Sequence, residues 1–301
     1  MRVLFVHSEN PLDPSAGGIG TYIRHRGYVL AGQGIESFWS DGKKTAFFDS
    51  TSVCWRESSV RLDASSWKRC LGRYWLPCSP WWEWAIREKM DAIEFADGVT
   101  CFWPGRRPFA IGIQCHTSQF VRAFLNGEKR RSFRQTVWER MAFLSLVRAD
   151  GRLIGSPEGL WMASGYWRIH CDRFHVLPHA FHRAGDPTLG VCRKPQSDPE
   201  FLVAGNLEVV KGFDLIAKGF LRYRQKGGKA RLVVAGTTGW DDPNPRLQAM
   251  LRRREVAALF QQEGRDIVRF LGRVSKEELA RLRARAVALV IGSRYDAFTM
   301  V

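Results

Sequence analysis

Short apolar runs that each end at a glycine recur through the second half of the 301-residue chain. They are Phe201–Gly205, Arg231–Gly236, Ile267–Gly272 and Ala286–Gly292. Runs of this length, rich in β-branched residues, predict buried strands of a parallel sheet. A helical pattern begins at Lys211-Gly212, shortly after the first run. This alternation of strands and helices predicts an α/β domain.

The first half of the chain starts with the same order of elements. Arg2–His7 predicts a strand, and the glycine-rich turn Gly17–Thr21 precedes a helical face. Ala92–Phe95 and Ala110–Gln114 predict further strands of that sheet. Ser40–Glu88 has little regular patterning, and we expect loops and short elements there.

A change in composition separates the two halves. Arg183–Pro199 contains three prolines and charges of both signs, which is typical of a linker. We therefore expect one domain over residues 1–182 and a second over residues 200–301. The fold class predicted is α/β, with two Rossmann-like, doubly wound parallel sheets.

The strand ends of the second half favour an anion-binding site. Ligands of open parallel sheets bind at the carboxyl ends of the strands, and a helix N-terminus attracts a phosphate. Lys211 lies where such a helix begins. A cation there is unfavourable for the helix dipole, and a bound anion would compensate it. The alternative is a solvent-exposed lysine without a ligand.

One histidine of the first half stands at a comparable place. His116 follows the predicted strand Ala110–Gln114 directly. A neutral imidazole can accept a hydrogen bond from a sugar hydroxyl, and an imidazolium can stabilise a phosphate. A buried histidine with a purely structural role is the alternative.

Composition narrows the class of protein. Hydrophobic residues make up 45% of the chain, which is enough for a folded core. No apolar stretch approaches the roughly 20 residues that span a bilayer, and the start lacks a signal-peptide pattern. Seven cysteines without CxxC pairs fit neither a disulfide framework nor a zinc ribbon. We therefore expect a cytoplasmic protein.

The formal net charge of +16 predicts an affinity for anions. No nucleic-acid-binding motif is present, so an anionic membrane surface or a phosphorylated substrate is favoured. Tryptophans among basic residues, at Trp67, Trp75, Trp81, Trp82 and Trp84, are compatible with peripheral contact at the inner face of a membrane. The alternative is that these tryptophans pack in the core. Lys129-Arg130-Arg131 with Arg134 is a further basic cluster, on a predicted helical segment.

Four motifs follow one another in the second half: Gly205-Asn206-Leu207 with Lys211-Gly212, Val233–Gly236, Phe270-Leu271-Gly272 and Ser293–Phe298. In this order they resemble the donor-sugar domain of family 4 glycosyltransferases, which are retaining enzymes of GT-B architecture. Four motifs in order are far more specific than one glycine motif. Val176–Ala180 resembles the segment that ends the first domain of the family, with His179 and Ala180 in place of Asn and Gly.

The resemblance implies roles for particular residues. Donor binding falls to Gly17, Gly18, Gly205, Asn206, Lys211, Gly236, Gly272 and Phe298. Catalysis falls to His116, Asp296 and Lys211. Asn206 stands where the family usually has arginine, and Asp296 where it has the first glutamate of a pair. The chain ends at Val301, before the place of the second acid, so we expect an incomplete second domain.

The resemblance also implies an activity. We expect transfer of a hexose from a nucleotide-diphosphate sugar to a lipid-linked or polysaccharide acceptor, with the acceptor on the first domain and the donor on the second. No cofactor and no metal are expected, and Asp241-Asp242 reads as a turn or a helix cap. A transferase for a soluble acceptor and a catalytically impaired homologue that binds nucleotide or membrane remain alternatives. A dehydrogenase is disfavoured because no GxGxxG follows the first strand.

Overall fold

The chain divides into two compact units, Met1–His182 and Arg183–Thr299. We describe them from a computed structural model. The residues described are 1–13, 18–62, 79–96, 102–116, 121, 123–124, 132–179, 199–205, 207, 210–236, 251–262 and 267–295.

The first unit is built on an eight-stranded sheet with the order β4-β3-β2-β1-β5-β6-β7-β8. Its strands are β1 (Arg2–Val6), β2 (Glu36–Ser40), β3 (Thr45–Asp49), β4 (Cys54–Glu57), β5 (Ala92–Ala96), β6 (Ala110–Cys115), β7 (Gly151–Ile154) and β8 (His175–Val176). Its helices are α1 (Gly18–Ala31), α2 (Pro80–Arg87), α3 (Phe133–Arg148) and α4 (Pro157–Trp167). The pairs from β2 through β1 to β8 are parallel, whereas β3 and β4 add antiparallel strands at one edge.

Both faces of this sheet are covered, as the unbroken apolar sequence of β1 predicts. Val3 and Phe5 pack on one face in the cluster that contains Tyr22 of α1. Leu4 points to the other face, into the cluster that contains Trp84 of α2. Successive side chains of a strand alternate between faces, so a strand buried on both faces must be apolar throughout.

The second unit contains a four-stranded parallel sheet with the order β11-β10-β9-β12. Its strands are β9 (Glu200–Ala204), β10 (Arg231–Ala235), β11 (Val268–Gly272) and β12 (Ala288–Leu289). Its helices are α5 (Phe213–Gln225), α6 (Arg254–Phe260) and α7 (Lys276–Arg285). Val203 and Val234 pack on one face, and Leu202 and Val233 on the other.

Serine residues fix the starts of three helices. Ser132, Ser156 and Ser275 precede α3, α4 and α7, and each hydroxyl accepts a hydrogen bond from the backbone N–H three residues later. Such a cap satisfies one of the N–H groups that have no partner within the first helical turn. At α3 the bond is reciprocated by Gln135, which completes a capping box.

The predicted fold class is confirmed, with two refinements. The Ser40–Glu88 segment, expected to hold loops and short elements, contains the antiparallel strands β3 and β4 and the helix α2. The strand expected over Ala286–Gly292 pairs only at β12. Among the helices in the described part of the chain, none combines the length and apolar character needed to cross a membrane.

The described tryptophans of the Trp67–Trp84 segment lie in the core. Trp82 and Trp84 are 7% and 3% exposed, and the partly buried Trp81 packs against the same cluster. For these three side chains the structure favours the core alternative over direct contact with a membrane. Trp67 and Trp75 lie outside the described residues.

Candidate functional site

Three glycines predicted to bind the donor meet at the carboxyl edge of the second sheet. Gly205 follows β9, and its N–H donates to the Ala235 carbonyl at 2.9 Å. Gly236 follows β10, and its N–H donates to the carbonyl of Gly272, the last residue of β11, at 2.8 Å. The three turns therefore lie side by side at the edge where parallel sheets bind ligands.

The backbone conformation explains why two of these positions are glycine. Gly205 has φ of +135° and Gly272 has φ of +64°, both in the region that side-chain-bearing residues rarely adopt. A Cβ at either position would meet nothing within 4 Å, so conformation rather than packing demands glycine. The resulting edge presents backbone that a ligand can approach closely.

Lys211 lies in the turn that leads into α5. Gly212 is the N-cap of α5, with φ of +63°, and its backbone packs against the backbone of Gly292 beyond β12. A Cβ at Gly212 would overlap the Gly292 carbonyl oxygen. This contact holds the N-terminus of α5, with the partly buried Lys211, at the carboxyl end of β12.

The loop after β12 is anchored to the same helix. The Arg294 guanidinium binds both oxygens of Asp214, and the Arg294 N–H donates to the Val210 carbonyl at 2.8 Å. Arg253 also pairs with Asp214. Neither Asp214 nor Arg294 was predicted from the sequence to have a role. An acid in the first turn of α5 and an arginine in the Ser293–Phe298 motif were the signals available.

Three histidines gather at the carboxyl edge of the first sheet. His7 follows β1, His116 follows β6, and His179 lies beyond β8. The rings of His116 and His179 are 4.9 Å apart between centroids. The buried Nε2 atom of His116 has no hydrogen-bond partner among the described residues. Of these three, only His116 was predicted from the sequence to be a site residue.

Tyr22 of α1 connects this cluster to a buried carboxylate. Its ring centroid lies 5.1 Å from that of His116 and 4.7 Å from that of His179. Its hydroxyl donates to Glu94 of β5 at 2.6 Å, and Arg26 pairs with the other oxygen of Glu94 at 3.4 Å. Tyr22 is only 1% exposed. Its ring is therefore held in place by the two imidazoles and, through its hydroxyl, by Glu94.

Burial governs the electrostatics of the cluster. Burial, then the proximity of His179 and His7, lowers the pKa of His116 to about 3. Burial also lowers the pKa of His7, whose Nδ1 accepts from the Glu9 N–H at 3.0 Å. Burial raises the pKa of Glu94, although Arg26 and Tyr22 oppose that rise. His116 is therefore neutral near pH 7 and suits a hydroxyl better than a phosphate.

The N-terminus of α1 already holds a carboxylate. Glu9 accepts a hydrogen bond from the Gly20 N–H at 2.7 Å. Gly18 is the first residue of α1 and is exposed. In this arrangement an acidic side chain of the protein occupies part of the anion-attracting helix end.

Four predicted site residues lie outside the described part of the chain: Gly17, Asn206, Asp296 and Phe298. Within the described part, no group of three or more His, Cys, Asp or Glu side chains is arranged to hold a metal ion.

Residues 191–301 match the family described as Glycosyl transferases group 1. No curated protein matches the sequence. Among solved structures, the catalytic domain of starch synthase IV from Arabidopsis thaliana, bound to ADP and acarbose, is similar with a TM-score of 0.59 and 12% identity. That match covers 99% of this chain and 79% of the other.

Two further structures have the same fold. The α,α-trehalose 6-phosphate synthase from Burkholderia multivorans has a TM-score of 0.53 and 13% identity, over 99% of this chain and 77% of its own. WaaG, a glycosyltransferase involved in lipopolysaccharide biosynthesis, has a TM-score of 0.51 and 11% identity, over 98% of this chain and 76% of its own. The chain thus has the fold of the GT-B glycosyltransferases, and its residues 191–301 are similar in sequence to glycosyl transferases group 1.

Proposed function

We propose that this protein is a retaining, family 4 glycosyltransferase that moves a hexose from a nucleotide-diphosphate sugar to a lipid-linked or polysaccharide acceptor. The observation that carries the proposal is the edge of the second sheet. There the turns at Gly205, Gly236 and Gly272 adjoin one another within the segment that matches the family. Lys211 and the N-terminus of α5 lie at the end of β12 on that edge.

In this proposal the second unit holds the donor. The leaving group is a nucleoside diphosphate, so negative charge develops on phosphate oxygens as the sugar–oxygen bond breaks. Electrostatic stabilisation of such charge is the largest contribution that a site can make. Lys211 and the N–H groups at the start of α5 supply it, with Asn206 and the glycine turns in contact with the donor. Asp296 accepts hydrogen bonds from the sugar hydroxyls, and Phe298 borders the donor.

In this proposal the first unit contributes His116, together with Gly17 and with Gly18, the first residue of α1. A neutral imidazole whose Nε2 has no hydrogen-bond partner within the described part of the chain fits a hydroxyl of the sugar or the acceptor. Retention follows in this proposal from attack on the same face of the sugar, with a donor phosphate oxygen taking the acceptor proton. No cofactor and no metal take part in this proposed reaction, because Lys211 and helix N-termini neutralise the diphosphate.

WaaG, which has the same fold, is involved in lipopolysaccharide biosynthesis, and this analogy of fold supports a lipid-linked acceptor. Two alternatives make different predictions. A transferase for a soluble acceptor transfers sugar without membranes, whereas an impaired homologue binds nucleotide or membrane without transfer.

Calorimetric titration with UDP, GDP and ADP tests the donor site. We expect one of them to bind and Lys211→Ala to weaken that affinity about tenfold or more, because a charge-assisted contact to phosphate is lost. Lys218→Ala is the matched control, since Lys218 is an exposed lysine of the same helix. Equal loss in both variants, or no binding of any nucleotide, would exclude the proposed donor site.

Incubation with labelled nucleotide sugars and membrane extract tests transfer. Labelled lipid or polysaccharide is the expected product, and analysis of its anomeric linkage tests retention. Nucleotide binding without any labelled product would favour the impaired homologue.

A further inference from the structure

The helix α3 has an apolar face that the core does not use. Ala142, Ser145 and Leu146 are its buried residues and face the interior of the first unit. On the opposite side lie the four residues that we call the outer stripe: Phe133, Val137, Leu144 and Val147, which are 86%, 40%, 44% and 44% exposed. On an ideal helix these four positions fall within an arc of about 80°.

The neighbouring helix continues this surface. The Tyr166 hydroxyl of α4 donates to Glu139 of α3, and the rings of Phe143 and Trp167 stack at 6.4 Å between centroids. Trp161 of α4 is 72% exposed, on the side of the helix opposite its buried residues. A surface helix normally presents polar residues outward, so apolar outer faces on two adjacent helices indicate a partner.

The charges on α3 indicate which partner. Arg134 and Arg140 are both exposed. On an ideal helix Arg140 falls within the arc of the outer stripe, and Arg134 falls about 60° outside it. Glu139 is the one acid in the sequence of α3, and its carboxylate accepts a hydrogen bond from Tyr166 and so is not paired with these arginines by that bond. Apolar residues with interspersed arginines, and an aromatic residue at the margin, are typical of a helix that lies in the interface of an anionic membrane. A two-fold contact with a second copy of this chain through the same surface would bring arginines of the two copies, which have like charge, close together.

We propose that the outer stripe, with Trp161, Arg134 and Arg140, docks the first unit on an anionic lipid surface. This inference deepens the proposed function, since a lipid-linked acceptor is found at such a surface. The contact with lipid is assigned to α3 and α4. Trp82 and Trp84 of the tryptophan-rich segment cannot make it in this fold, because their side chains are buried. Lipid binding needs no donor, so it can be tested apart from sugar transfer.

Co-sedimentation with vesicles, without any nucleotide, is the first test. We expect the 301-residue protein to sediment with vesicles containing phosphatidylglycerol and only weakly with phosphatidylcholine alone. The triple variant Phe133→Ser, Val137→Ser, Leu144→Ser lowers the partition coefficient about tenfold or more, because its apolar face no longer enters the interface. Val53→Ser with Ile86→Ser is the control, since these side chains are 50% and 48% exposed elsewhere on the same unit.

The second test separates the charges from the apolar contact. Arg134→Gln with Arg140→Gln lowers partitioning onto phosphatidylglycerol vesicles about fivefold per arginine, from the roughly 1 kcal/mol that each cation near such a surface contributes. Arg222→Gln with Arg252→Gln, exposed residues of the second unit, leaves it unchanged. Circular dichroism before sedimentation shows that every variant is folded.

Fluorescence locates the contact directly. Brominated lipid quenches part of the tryptophan emission of the wild type, and Trp161→Phe removes most of that quenched part. The proposal is overturned if the wild type fails to sediment with anionic vesicles, if it binds both lipids equally, or if the outer-stripe variant binds like its control. If light scattering shows a dimer that the outer-stripe variant dissociates, a second copy covers this face and the lipid proposal is wrong.

Discussion

Asp214 and Arg294 are joined by two parallel hydrogen bonds of 2.8 Å each, although they are 80 positions apart in the sequence. Asp214 lies in the first turn of α5, where a carboxylate also complements the helix dipole. Burial acts to raise the pKa of Asp214, but the bonds and charges of Arg294 and Arg253 overcome it and hold the pKa below its usual value. The pair fixes the loop after β12 against the helix that begins beside Lys211.

Replacing Arg294 tests this relationship. Arg294→Gln leaves the Asp214 carboxylate, which is only 7% exposed, paired with Arg253 alone among the described guanidinium groups. We expect a loss of about 2 kcal/mol in the free energy of unfolding. Arg281→Gln is the control: its pair with Glu278 is solvent-exposed and is worth about 0.5 kcal/mol or less. Urea denaturation of both variants provides the comparison. Equal losses in the free energy of unfolding would show that the bidentate pair stabilises the protein no more than the exposed pair does.

The contact between Gly212 and Gly292 makes a second prediction. Gly212→Ala puts a side chain into a left-handed conformation and against a backbone carbonyl, so we expect a loss of more than about 2 kcal/mol in stability and weaker nucleotide binding. Gly219→Ala, in the same helix, meets nothing within 4 Å and should gain up to about 1 kcal/mol from higher helix propensity. Thermal unfolding of the two variants should therefore shift in opposite directions. A tolerated Gly212→Ala would contradict the close packing.

The sequence predicts the glycine edge of the second unit because its signals are local. Each of Gly205, Gly236 and Gly272 ends an apolar run, and strands of one parallel sheet must end at the same edge. Neither the order of the strands nor the sideways contact of the turns was needed for that prediction. The start of α5 is equally local, since Gly212 marks it.

The histidine cluster could not be predicted in the same way. His7, His116 and His179 each follow a strand, but nothing in the sequence says which strand ends adjoin one another. Tyr22 and Glu94 are 72 positions apart, and a tyrosine on an apolar helix face reads as ordinary core. Such pairs depend on tertiary packing, which residue periodicity does not encode.

The lowered pKa of His116 predicts a pH dependence of stability. The group is neutral in the folded protein down to about pH 3, whereas in the unfolded chain it takes a proton below its ordinary value of 6.5. The contribution of His116 to the free energy of unfolding is therefore complete above pH 6.5 and is lost as the pH falls toward 3. The slope of this loss approaches about 1.4 kcal/mol per pH unit. His116→Gln should flatten the fall in urea midpoint between neutral and acidic pH.

His170 provides the control for that measurement. Its side chain is 83% exposed, so His170→Gln removes a histidine from the surface and leaves the buried cluster intact. His7 also has a lowered pKa, which means that a smaller slope remains in His116→Gln. An unchanged profile in His116→Gln would mean that the imidazole titrates normally in the folded protein.

The bond between Tyr22 and Glu94 makes the last prediction, and it concerns how the imidazoles are held. Tyr22→Phe keeps the ring that contacts His116 and His179 but removes the hydroxyl that donates to Glu94. We expect a loss of about 1–3 kcal/mol in the free energy of unfolding, since Glu94 remains buried with one partner fewer. The control is Tyr28→Phe, on the same helix, whose ring packs against Phe48. It should lower the free energy of unfolding by less than Tyr22→Phe does.

A double-mutant cycle decides whether this bond acts on the histidines. Glu94→Ala and Tyr22→Phe each remove the hydrogen bond between the tyrosine hydroxyl and the side chain at position 94, so their effects on stability should be strongly non-additive. If the bond also orients the imidazoles, NMR resonances of His116 and His179 should shift in Tyr22→Phe and stay in place in Tyr28→Phe. In transfer assays, kcat should then fall more than KM rises. Additive energies with unmoved histidine resonances would reduce Tyr22 to a packing residue, because a positioning role requires that the rings respond when the hydroxyl is removed.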